Sequence, residues 1–61
     1  MCLSTVYKNE VADANLIARN VAEIKMENGK LILTDLMGIR KVIDAEVEKI
    51  DLMENFIIVN C

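Results

Sequence analysis

Histidine is absent from the chain, which removes every mechanism that relies on an imidazole as base, nucleophile activator or metal ligand. Proline is absent too, and glycine occurs only as Gly29 and Gly38. Two isolated glycines make neither a phosphate-cradling loop nor a dinucleotide fingerprint. No Ser/Gly-rich tract or low-complexity run breaks the chain, so residues 1–61 read as a single small domain. Aromatic side chains are limited to Tyr7 and Phe56, too few for the stacking platforms of single-strand nucleic-acid binders. No apolar run approaches the roughly 20 residues needed to span a bilayer. The N-terminus has no basic segment leading into an apolar one, so no secretory signal is expected and the protein is placed in the cytoplasm. The cysteines, Cys2 and Cys61, are too few for a disulfide framework. In a reducing compartment such thiols are buried, metal-binding or reactive rather than paired.

The net charge is −3 and uneven: residues 31–61 set Arg40, Lys41 and Lys49 against Asp35, Asp44, Glu46, Glu48, Asp51 and Glu54. An acidic half argues against nucleic acid as a partner, because phosphate binding needs clustered Lys and Arg. A chain this short buries only about 60% of its unfolded surface, so it needs reinforcement by a metal or by oligomerisation. Hydrophobic residues make up 54% of the sequence and aromatics 3%. Part of that aliphatic surface is expected in a subunit interface, which predicts a homodimer.

The clearest local pattern is Val21-Ala-Glu-Ile-Lys-Met-Glu27, Asn28-Gly29, Lys30-Leu-Ile-Leu-Thr-Asp35. Its period of two, broken by Asn-Gly, predicts a β-hairpin with a type I′ turn. A second hairpin is predicted from Glu48, Ile50 and Leu52 through Glu54-Asn55 into Phe56-Ile-Ile-Val59. That last run is apolar on both faces, so it belongs inside a sheet or against another chain. Residues 2–8 read as a strand with Cys2, Ser4 and Val6 on one side. Residues 11–20 and 40–50 fit helical spacing as well as extension. Strands are preferred for both: Lys41-Val-Ile-Asp44 is β-branched, and residues 9–15 look like a polar turn before a short Leu16-Ile17-Ala18 strand. The expected fold is all-β, a small strongly curved antiparallel sheet or open barrel, homodimeric.

Few residues are left to carry chemistry. Ser4, the only serine, has no activator and reads as a strand hydroxyl. Glu46 and Glu48 read as a solvated strand face rather than an acid/base pair. Met26, Met37 and Met53 could offer thioethers to a soft metal, but their apolar surroundings favour gap-filling in the core. Gly38 suits a left-handed turn, with Leu36 and Met37 capping the core or entering an interface. Cys61, at the chain end, reads as a free thiol or a group that supports a ligand, rather than as a ligand itself. Cys2 is open to two readings. It is a small buried strand residue, or a ligand whose sulfur and amide nitrogen chelate one ion together with the nearby terminal amine. Nitrogen and thiolate donors in a plane suit Ni(II) or Cu(II), and a tetrahedral set suits Zn(II).

Met1-Cys2, Val6-Tyr7, Val21-Ala-Glu-Ile, Thr34-Asp35-Leu36-Met37-Gly38 and Ile50-Asp51-Leu52-Met53-Glu54-Asn55 together resemble the CooT family of small nickel-binding proteins. The MC start and the IDLMEN turn are the most specific elements. The resemblance implies a cytoplasmic, non-catalytic, all-β homodimer that binds Ni(II) through Cys2 of each chain. It also implies a role in nickel insertion into carbon monoxide dehydrogenase or a related nickel enzyme, with that enzyme or its maturation proteins as partners. A small protein- or RNA-interaction module without metal is the alternative.

Overall fold

The computed structural model describes residues 3–61. They form six strands and one turn of 3₁₀ helix: β1 (Ser4–Lys8), the 3₁₀ turn Asp13–Asn15, β2 (Leu16–Glu27), β3 (Lys30–Asp35), β4 (Arg40–Ile43), β5 (Glu46–Asp51) and β6 (Phe56–Asn60). All six belong to one sheet in the order β4-β3-β2-β1-β6-β5.

Both predicted hairpins are present. Glu27 pairs with Lys30 around Asn28 and Gly29, whose φ angles of 51° and 76° are those of a type I′ turn. β5 and β6 pair antiparallel through a turn over residues 52–55. Leu52 therefore lies in the turn, and a bulge between Val47 and Lys49 interrupts the strict alternation of β5. In the two segments with mixed periodicity, residues 16–20, 40–43 and 46–50 are extended, as preferred, and the polar stretch before the first of them holds the 3₁₀ turn. The first is longer than expected, because Leu16-Ile17-Ala18 runs on without a break into the hairpin strand to make the 12-residue β2.

The expectation of a purely antiparallel sheet is corrected. β1 pairs antiparallel with β2 but parallel with β6, from Thr5 opposite Phe56 to Lys8 opposite Val59. Each hairpin reversal from β2 to β4 and from β5 to β6 carries at least one residue in the left-handed region: Asn28 and Gly29, Gly38, and Asn55. Asp44 and Ala45, between β4 and β5, have none. There the chain turns a corner without reversing and crosses from one sheet edge to the other, so β6 returns in the same direction as β1. Of the strongly curved sheet or open barrel, closure is absent: β4 and β5 share no ladder.

The core lies on one face. Val6, Val21, Leu31, Leu33, Ala45, Ile57 and Val59 are buried, Val6 and Val59 completely. Ile17, Ala18, Ile24, Ile43 and Val47 pack around them. β6 fills the interior place its two-sided apolar pattern required, with Ile57 and Val59 facing the core. On the other face Phe56 meets Tyr7 edge-to-face at 6.4 Å between centroids, and Lys49 Nζ lies 5.4 Å from the Phe56 ring centre.

The methionines correct another expectation. Met26, Met37 and Met53 are 73%, 80% and 92% exposed and fill no core gap. Leu36, 62% exposed, does not cap the core either. Met37 and Met53 sit on hairpin tips that project beyond the buried layer.

Candidate functional site

Cys2, the residue singled out as a metal ligand, lies outside the described residues. The structure does describe its covalent surroundings from Leu3 onward. Ser4 pairs with Val21 of β2, and the Thr5 N–H donates to Asn55 O at 3.1 Å. The start of β1 is thus held between the middle of β2 and the tip of the β5–β6 hairpin.

That tip is well ordered by its own aspartate. Asp51 Oδ1 accepts the Met53 N–H at 3.0 Å and the Glu54 N–H at 2.8 Å. A side-chain acceptor serving main-chain donors two and three residues on is what makes Asp favourable at a turn start. The β3–β4 tip repeats the device, with Asp35 Oδ1 accepting the N–H groups of Met37 and Ile39, both at 2.9 Å. In each case the capped aspartate is followed by an exposed Leu-Met pair. This repeated Asp-Leu-Met triplet was visible in the sequence, yet it is too short to register as an internal repeat.

Beside the start of β1 a groove of about 260 Å³ is lined by Ser4, Val21, Ile24, Met26, Val47 and Ile57, among others. Ser4 has only apolar company there apart from Glu23, which agrees with its reading as a structural hydroxyl. Glu46 and Glu48 are exposed, as expected of a solvated face. Among the described residues, no group of three or more His, Cys, Asp or Glu side chains is placed to hold a metal. Cys61 is an exposed free thiol. It follows β6, whose first residue Phe56 pairs with Thr5. Cys61 therefore lies about 16 Å along the strand from the level of Thr5, and farther from that of Leu3, at about 3.3 Å per residue.

Comparison with known proteins gives this geometry a context. Residues 1–60 match the family model described as "CO dehydrogenase accessory protein CooT". The chain belongs to the CooT family. CooT accessory proteins are maturation factors without catalytic activity, in line with the lack of an acid, base or nucleophile set in the sequence. The fold matches a solved structure assigned to CooT from Carboxydothermus hydrogenoformans with a TM-score of 0.84. That match has 22% identity and covers 97% of this chain and 95% of the other. No curated protein matches the sequence. The CooT sheet has no helix long and apolar enough to cross a membrane among its described residues.

Proposed function

We propose that this chain is a nickel carrier for the maturation of carbon monoxide dehydrogenase or a related nickel enzyme. In this reading it acts in the cytoplasm as a homodimer, with Cys2 of each chain holding Ni(II) between the subunits. The observation that carries the reading is the family match, which spans residues 1–60 and so includes Cys2. The chemistry of the donors supports it. One chain start offers a single thiolate with one or two nitrogens, and two starts brought together by a two-fold axis offer enough for a four-coordinate site. Exposed apolar side chains support the dimer. Met26, Ile50, Leu52 and Met53 are all more than half exposed and lie on or near the hairpins that flank the start of β1.

Nickel titration of the reduced full chain tests the proposal. The expected result is one Ni(II) per two chains, with thiolate-to-nickel absorption in the near ultraviolet. Thiol and amine must both lose protons to bind, and free Cys has a pKa of about 8.5, so affinity rises with pH through the neutral range. Cys2→Ser abolishes the absorption and leaves the circular dichroism unchanged, while Cys61→Ser changes neither. Unaltered stoichiometry and spectrum in Cys2→Ser would overturn the assignment of the ligand.

A further inference from the structure

β2 uses its two edges unequally. Its first part, residues 16–21, pairs with β1, and its second part, from Val21 to Glu27, pairs with β3. Among the described residues, the edge of residues 16–19 turned away from β1 has no neighbouring strand. Two bonds mark where it is left open. The Leu36 N–H donates to Asn20 O at 2.9 Å, the last main-chain bond on that side. Beyond it, the Ile17 carbonyl accepts from Lys41 Nζ at 2.7 Å. A strand carbonyl served by an exposed lysine instead of a ladder is a main-chain acceptor available to another strand.

A cleft of about 320 Å³ runs along this edge, with Leu16, Ile17 and Arg19 on one wall and Ile39, Arg40 and Lys41 on the other. Three cations thus converge on one groove of a chain whose net charge is −3. The one carboxylate in the lining, Asp35, already accepts the two N–H groups of its own turn. The one ion pair among the described residues, Lys30 with Asp44, lies elsewhere.

We propose that this edge accepts an extended, carboxylate-rich segment of a partner protein as an added strand. Its main chain bonds to residues 16–19, and its acidic side chains meet Arg19, Arg40 and Lys41. Strand addition draws affinity from main-chain hydrogen bonds and specificity from alternate side chains. On docking, Lys41 exchanges the Ile17 carbonyl for a carboxylate of the guest, and the freed carbonyl accepts a guest N–H. The acidic remainder of the surface repels the same segment, so the cleft is selected by charge as well as by its open edge. Neither Tyr7 nor Phe56 lines the cleft, so it gives nucleobases nothing to stack on. The proposal is independent of the metal and does not need Cys2.

The test is fluorescence anisotropy of the full chain with a labelled peptide of alternating Glu and Val. Saturable binding is expected. It should weaken about tenfold when N-methyl groups block alternate peptide nitrogens, and about tenfold in Arg19→Glu/Arg40→Glu, whose circular dichroism matches the parent. An alternating Lys and Val peptide should not bind. Should the double variant fail to fold, the N-methylated peptide with the parent chain still decides. Absence of saturable binding, equal affinity for the N-methylated or lysine peptide, or stronger binding of a single-stranded oligonucleotide would overturn the proposal. So would loss of the oligomer when the peptide binds, since the edge would then belong to a second copy of the chain.

Discussion

Asp35 and Asp51 each use one carboxylate oxygen to hold two main-chain N–H groups. Removing either acceptor leaves two donors to find water and loosens a tip that carries exposed leucine and methionine. Asp51→Ala is expected to lower stability by about 1–2 kcal/mol, while Asp51→Asn, which keeps an acceptor oxygen, loses less. Urea unfolding of the two variants measures the difference, and equal values would mean the cap contributes nothing. Leu33 represents the opposite environment, at 2% exposure in the centre of the core. Leu33→Ala is expected to cost about 2–5 kcal/mol through lost burial and a residual cavity. A 61-residue chain has about 3–9 kcal/mol of stability in total at typical values per residue. The variant should therefore be partly or wholly unfolded at 25 °C by circular dichroism.

At the scale of elements, turn chemistry and corner packing make different demands. Gly29 has a φ of +76° with nothing within 4 Å of where a Cβ would sit. Gly29→Ala is thus expected to cost about 1–2 kcal/mol from backbone strain alone, with the hairpin retained. A loss well above that, by urea unfolding, would show a steric role the open space does not suggest. The corner between β4 and β5 depends instead on burial, because Ala45 is 6% exposed and joins the core at the point where the chain changes sheet edge. Ala45→Asp puts an unpaired carboxylate there, and the chain should lose its cooperative unfolding transition. Ile57→Asp should do the same from within β6, since Ile57 is buried.

For the whole molecule, the balance of apolar surface is unusual. Among the described residues seven hydrophobic ones are buried, while nine large ones, among them Leu36, Met37, Ile39, Leu52 and Met53, are exposed. A small one-sided sheet has too little interior to enclose so much aliphatic surface, and patches of this kind mark association surfaces. Sedimentation equilibrium at micromolar concentration is expected to give twice the 6.9 kDa chain mass. A single species at the chain mass would remove the basis for a shared metal site.

The sequence by itself determined the all-β class, the hairpin around Asn28 and Gly29, and the need of Phe56-Ile-Ile-Val59 for cover on both faces, inside a sheet or against another chain. It also carried the family resemblance, through the MC start and the IDLMEN turn. These features are written in neighbouring residues, where alternation, positive-φ turn positions and two-sided apolar runs act within a few positions of one another. Only the tertiary structure decided the parallel pairing of β1 with β6, the division of β2 between two partners and the exposure of the methionines. Strand order depends on which distant faces bury one another. Here it turned on Asp44 and Ala45, two residues with no turn signal, whose corner moves the chain between sheet edges and leaves open the edge of β2 where Lys41 reaches Ile17.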